Sequence, residues 1–148
     1  MTREKPYVLL VDDNEATCTL VRAILQRDFT VEIARDGMEA IDTLRTKQYA
    51  AVLLDLWMPQ LDGYAVLEFL KSTKPAVLSR VLILTASLAA SELERVRAYN
   101  VCGIIAKPFD VEALLGAVKD CVGDDGGYPP LFVSGGMILL LADWLRRL

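Results

Sequence analysis

Five short apolar runs recur along the chain, at Tyr7–Val11, Thr30–Ala34, 51–54, 81–84 and 102–105. Each is separated from the next by a stretch whose apolar residues fall at helical spacing, as with Leu20, Val21, Ile24 and Leu25. Regular alternation of this kind predicts a parallel sheet covered by helices on both faces. The run at 51–54 is apolar at every position, as a central parallel strand requires. Five such units in about 120 residues suit a flavodoxin-like, doubly wound (βα)5 arrangement with a five-stranded parallel sheet, not a barrel.

The boundaries of the helices are written in side chains that can cap them. Asn14 precedes the first helix, Asp36 the second, with Glu39 three residues on, and Asp110 the fifth. Asp62-Gly63 leads into the third helix through Leu67 and Leu70. The fourth is expected to start near Ser91, with Glu94 completing a capping box. The fifth ends near Gly123, where Asp124-Asp125-Gly126-Gly127-Tyr128-Pro129-Pro130 reads as a linker. This divides the chain into a domain over 1–123 and a short tail over 124–148, too short to form a domain alone.

Composition removes several classes of function. The chain has no histidine, which excludes His-based triads, imidazole metal sites and a phosphohistidine of its own. A net charge of −4 without a basic block argues against direct nucleic-acid binding. No secretory signal and no run of membrane-spanning length is visible, so a cytoplasmic location is expected. The three cysteines, Cys18, Cys102 and Cys121, match neither a disulfide framework nor a zinc pattern and are expected as free buried thiols.

Chemistry gathers where strands should end. Asp12 and Asp13 follow the first run, Asp55 the third and Lys107 the fifth. Parallel strands end on one edge, which brings these residues into one cleft. Three crowded carboxylates repel, and a hard divalent cation with oxygen ligands, Mg²⁺ above all, relieves that repulsion. A lysine beside them can hold an anion that also touches the metal. The set suggests a carboxylate that accepts a phosphoryl group. An Asp after a strand is often only a helix cap. Asp55 does not fit that role, because Trp57-Met58-Pro59 follows it.

Four motifs in order carry a family resemblance: Val11-Asp12-Asp13-Asn14, the stretch Leu53-Leu54-Asp55-Leu56-Trp57-Met58-Pro59-Gln60-Leu61-Asp62-Gly63, Leu84-Thr85-Ala86, and Ala106-Lys107-Pro108-Phe109. Residues 5–122 resemble a receiver domain of the two-component response regulators. The resemblance implies that Asp55 takes a phosphoryl group from a phosphohistidine on a partner kinase. Asp12, Asp13, Asp55 and the backbone carbonyl of Trp57 would hold Mg²⁺. Lys107 would pair with the phosphoryl group, and with Asp55 in its absence. Thr85 would donate its hydroxyl to a phosphoryl oxygen. A cis Lys107–Pro108 bond would aim the lysine inward. Haloacid-dehalogenase-like, P-loop and flavodoxin readings fail, because their Asp-x-Asp, Gly-x-x-x-x-Gly-Lys and hydroxyl-rich first loop are all missing.

The resemblance also implies a signalling switch and not an enzyme of metabolism, with a histidine kinase or phosphotransfer protein upstream and a protein target downstream. The alternative is a pseudo-receiver, an assembly module that is not phosphorylated. Two positions depart from the family pattern. Ile104 stands where many receivers carry an aromatic ring that reports the switch. Trp57 replaces a commonly polar residue, and its ring is expected to shield an acyl phosphate from water. In the tail, residues 137–148 are expected to form a short apolar helix with Asp143, Arg146 and Arg147 on one side. Such a helix would pack on protein, as in a homodimer, in preference to a membrane surface.

Overall fold

The computed structural model describes residues 4–87, 89–123, 130–132 and 138–140. Strands β1 (Tyr7–Val11), β2 (Thr30–Ala34), β3 (Ala51–Asp55), β4 (Val81–Thr85) and β5 (Gly103–Ala106) form a parallel sheet in the order β2-β1-β3-β4-β5. The helices between and after them are α1 (Glu15–Leu25), α2 (Gly37–Thr46), α3 (Gly63–Thr73), α4 (Ala90–Val96) and α5 (Val111–Val122). The expected five-stranded, doubly wound sheet is therefore present.

Side-chain alternation along each strand sorts the interior into two cores. Val8, Leu10, Ala51, Leu53, Leu82, Leu84 and Ile105 face α1 and α5. Leu9, Val11, Val52, Leu54, Val81, Ile83 and Ile104 face the side of α2, α3 and α4. A period of two on every strand is what a sheet with both faces covered demands. Each fully buried Leu, Ile or Val contributes on the order of 1.5–3 kcal/mol of transfer free energy. Strand β3 is buried at all five positions, including its last, Asp55.

Local signals set most of the boundaries. Asn14, Asp36, Asp62 and Asp110 each accept a hydrogen bond from the backbone N–H three residues on. Helix α4 differs from expectation. It begins at Ala90, and its N-cap Ala89 has no side-chain acceptor. Ser87 takes the N–H of Ala89 instead, and Glu94 pairs with Arg97, so no capping box forms at Ser91. A 3-10 helix at Pro75–Arg80, opened by a proline that fits a first turn, leads into β4 and had no signal strong enough to predict it.

Two further corrections concern the end of the chain. Cys102 and Cys121 are joined in a disulfide, leaving Cys18 as the free thiol. The fold brings the residue before β5 against the last turn of α5, with Cα atoms 5.9 Å apart, a meeting that spacing along the sequence does not reveal. Beyond α5, β6 (Pro130–Phe132) pairs parallel with β5, and β7 (Ile138–Leu140) pairs antiparallel with β6. Residues 138–140 are therefore a strand and not part of the expected tail helix. An open sheet edge offers unpaired backbone groups to any short apolar run, and periodicity along the chain does not reveal that such an edge lies nearby. The rest of that expected helix lies outside the described residues. No helix among the described residues is long and apolar enough to cross a membrane.

Alkylation of the denatured, unreduced protein should add a single label, at Cys18, and reduction should raise this to three. Closing the loop between Cys102 and Cys121 should add about 3 kcal/mol of stability. Denaturant unfolding with and without reductant would measure that difference.

Candidate functional site

The strand order places the site. From β1 the chain goes outward to β2 on one side, while β3, β4 and β5 build on the other. The crevice between β1 and β3, at their carboxyl ends, is where the direction of winding reverses and where open α/β sheets bind ligands. Asp12 and Asp13 leave β1 there, and Asp55 closes β3 beside them. One carboxylate oxygen from each of the three lies within 4.8 Å of the others. Asp12 is wholly buried and Asp55 nearly so, whereas Asp13 is exposed.

Backbone groups hold the two buried carboxylates in place. Asp12 Oδ1 accepts the N–H of Asn14 at 2.9 Å, and Asp55 Oδ1 accepts that of Trp57 at 3.1 Å. Lys107 reaches the same point from β5, where its N–H donates to the carbonyl of Thr85 at 2.7 Å. Its ammonium lies 2.8 Å from Asp12 Oδ2 and 3.5 Å from Asp55 Oδ2. The nearer partner is thus Asp12, which the sequence reading did not anticipate. The Lys107–Pro108 bond is cis.

Burial is the main cause that raises the pKa of Asp55 above the ordinary carboxylate range. The Lys107 ammonium and the Trp57 N–H pull it down, while the Asp12 charge pushes it up. Thr85 ends β4, buried, with its hydroxyl donating to the Ser87 carbonyl at 2.9 Å. The Trp57 ring is half exposed and stands edge-on to Tyr64. Asp12, Asp13, Asp55, Thr85 and Lys107 therefore lie at or just past the carboxyl ends of β1, β3, β4 and β5.

The donor set is all oxygen and carries excess negative charge, which fits a hard divalent cation and excludes a thiolate or imidazole site. Asp12, Asp13 and Asp55 could each supply one oxygen to it.

Gly63 is a supporting residue whose role becomes visible only in three dimensions. Its N–H donates to the Leu56 carbonyl at 3.1 Å. A Cβ there would collide with the Asp55 carbonyl oxygen and lie 2.8 Å from the Leu56 Cα. The signal for it in the sequence was the Asp62-Gly63 pair, read only as a helix start.

The profile of the response regulator receiver domain matches residues 8–119. The chain belongs to that family. Among its relatives, the response regulator MprA of Mycobacterium sp. (strain KMS) is 35% identical over 113 residues, covering 76% of this chain and 48% of MprA. The transcriptional regulatory protein ZraR of Escherichia coli O157:H7 is 30% identical over 115 residues, covering 77% of this chain and 26% of ZraR. The chain thus spans about half or less of the length of these curated relatives.

Among solved structures, the receiver domain of sensor histidine kinase PA1611 from Pseudomonas aeruginosa PAO1 superposes with a TM-score of 0.74 at 26% identity. The match covers 81% of this chain and 99% of that one, and that structure has a magnesium ion coordinated in its active site cleft. Receiver domains act in two-component signalling and are not metabolic enzymes.

Two outcomes follow from this geometry. Because folding raises the Asp55 pKa, the native state binds more protons than the unfolded state between the two values, and stability falls as pH rises through that window. Asp55→Asn should therefore raise the unfolding midpoint at neutral pH without Mg²⁺, with a gain that shrinks as pH falls into the ordinary carboxylate range. Thermal melts across pH would check it. Gly63→Ala should cost about 1–3 kcal/mol by forced overpacking, measurable by denaturant unfolding.

Proposed function

We propose that this receiver is a phosphorylation-driven switch whose acceptor is Asp55. The observation that carries the reading is the convergence of the Asp12, Asp13 and Asp55 carboxylates with the Lys107 ammonium at the β1–β3 crevice. Asp12, Asp13, Asp55 and the Trp57 carbonyl would hold Mg²⁺, which would supply neutralising charge for the phosphoryl oxygens. A carboxylate oxygen of ionised Asp55 attacks phosphorus as the bond from phosphorus to the donor imidazole nitrogen breaks. The Trp57 N–H fixes the orientation of the Asp55 carboxylate. Lys107 turns from the carboxylates to the incoming anion and stabilises charge that develops there. Thr85 gives up the Ser87 carbonyl and donates its hydroxyl to a phosphoryl oxygen. Hydrolysis of the aspartyl phosphate resets the switch.

In this reading the donor is a histidine kinase or phosphotransfer protein, and the output is contact with a downstream protein. Residues 1–123 form the signalling unit and 124–148 an appendage that serves self-association or docking. The switch works in the cytoplasm, where ATP-fed kinases act, and burial of Cys102 and Cys121 withholds their bridge from soluble reductants. No feature of the cleft favours the pseudo-receiver alternative, since each residue the chemistry needs is present.

Incubation with acetyl phosphate should add one phosphoryl group per chain, detected by intact-mass spectrometry, only when Mg²⁺ is present. Asp55→Ala should abolish the addition. Addition that persists in Asp55→Ala would move the acceptor elsewhere. Failure of the folded, Mg²⁺-saturated protein to take up phosphate would remove this reading.

A further inference from the structure

The cleft is tied to a second cluster through one buried ring. The Trp57 N–H bonds to Asp55, so the backbone of Trp57 follows that carboxylate. Its indole stands edge-on to Tyr64, with centroids 6.1 Å apart and planes at 74°. Tyr64 is buried in the first turn of α3. Its hydroxyl donates to the Glu92 carboxylate in the first turn of α4. The Arg95 guanidinium carbon lies over the same ring, 3.5 Å from its centroid. One side chain thus touches the phosphoacceptor loop on one side and two residues of α4 on the other.

Helix α4 depends on such contacts. It has seven residues and no side-chain cap at its start. A helix this short has little stability of its own. Val96 is its buried residue, and Leu93 packs beside the core. Just past its end, the Tyr99 hydroxyl donates to Glu68 on α3 at 3.0 Å. Side-chain contacts to α3 therefore decide where α4 lies. The segment entering α4 is also held from the cleft, because the Thr85 hydroxyl bonds to the Ser87 carbonyl. Ile104, buried in the same core, offers neither a ring nor a polar group to carry a change between cleft and helix.

We propose that Tyr64 couples the acidic cleft to α4. Its contacts with Trp57, Glu92 and Arg95 hold α4 in the position described, and phosphorylation of Asp55 releases that position by moving the Trp57 loop. The surface that α4 offers to a protein partner changes as a result. This rests on the phosphoacceptor reading of Asp55. Coupling between sites is reciprocal, so loosening α4 must also alter the cleft. In the arrangement described, the Thr85 hydroxyl is spent on Ser87. Contacts that stabilise that arrangement therefore oppose phosphoryl uptake.

A double-mutant cycle on the full chain tests this. The rate of Mg²⁺-dependent uptake from acetyl phosphate would be followed by intact mass for wild type, Tyr64→Phe, Glu92→Ala and the double variant. Tyr64→Phe removes the hydroxyl and keeps the ring, so the core stays filled. Neither residue touches the carboxylates, and a merely structural role would leave the rate unmoved. Each single change should speed uptake about fivefold, as a fivefold rise in the population of the uptake-competent arrangement would. The double variant should be no faster than either single one. Hydrogen exchange over 90–97 should respond to phosphorylation less in each variant than in wild type. Unchanged or slower uptake, or effects that add, would overturn the coupling. If wild type itself takes up no phosphoryl group, the acceptor reading fails and the coupling with it. If wild type is phosphorylated and the variants match it, the coupling alone is wrong.

Discussion

Repulsion among three carboxylates at one sheet edge is the constraint around which this domain is built. Two unit charges no more than 4.8 Å apart repel by roughly 3.5 kcal/mol or more at an effective dielectric of ~20. The fold accepts that cost because the strands that carry the carboxylates cannot move apart. β1 and β3 are adjacent, in continuous parallel register from Val8 with Ala51 to Val11 with Leu54. Their side chains fill two cores, one on each face. Hydrophobic burial on both sides fixes where Asp12 and Asp55 must stand. The polar site is thus a consequence of the apolar interior, and Lys107 is the local answer to it.

Much of this was legible in the residues themselves. Apolar runs of strand length located β1 to β5, and β2 fell on Thr30–Ala34 as read. Four short polar side chains at helix starts cap as their chemistry requires. Residues 12, 13, 55, 85 and 107 were legible because each sits directly after or at the end of an apolar run, so topology alone brings them together. What failed to show depends on partners distant in sequence. The Cys102–Cys121 bridge needs α5 folded onto β5. Strand β7 needs an edge to pair with, which only the finished sheet supplies. Lys107 chooses Asp12 over Asp55 through side-chain geometry that no pattern encodes. The start of α4 was misread because its N-cap, Ala89, has no side chain that can cap, and the N–H groups of Glu92 and Leu93 go to the Ala89 carbonyl instead.

The errors at α4 and the proposed role of Tyr64 have the same physical origin. Helices with a strong cap and a broad buried face announce themselves in sequence, because local terms decide them. α4 has neither, and its position is set by α3 through Tyr64, Glu92, Arg95, Tyr99 and Glu68. An element held by a few tertiary contacts is hard to read from its own residues. It is also inexpensive to move, since small changes in those contacts shift its equilibrium.

That economy matters for a switch. A ligand moves a two-state equilibrium only by its difference in affinity for the two states. Here the difference has a source. The unphosphorylated cleft leaves buried like charges against a single lysine, with Thr85 turned away to Ser87. In the proposed reading, a phosphoryl group on Asp55, with a divalent cation, would recruit Lys107 and Thr85 at once and remove the reason for their present placement. The free energy released is local to the crevice, so it can reach a partner surface only through an element that both touches the crevice loop and is weakly held elsewhere. Among the described helices, α4 meets the second condition, and Tyr64 supplies the first.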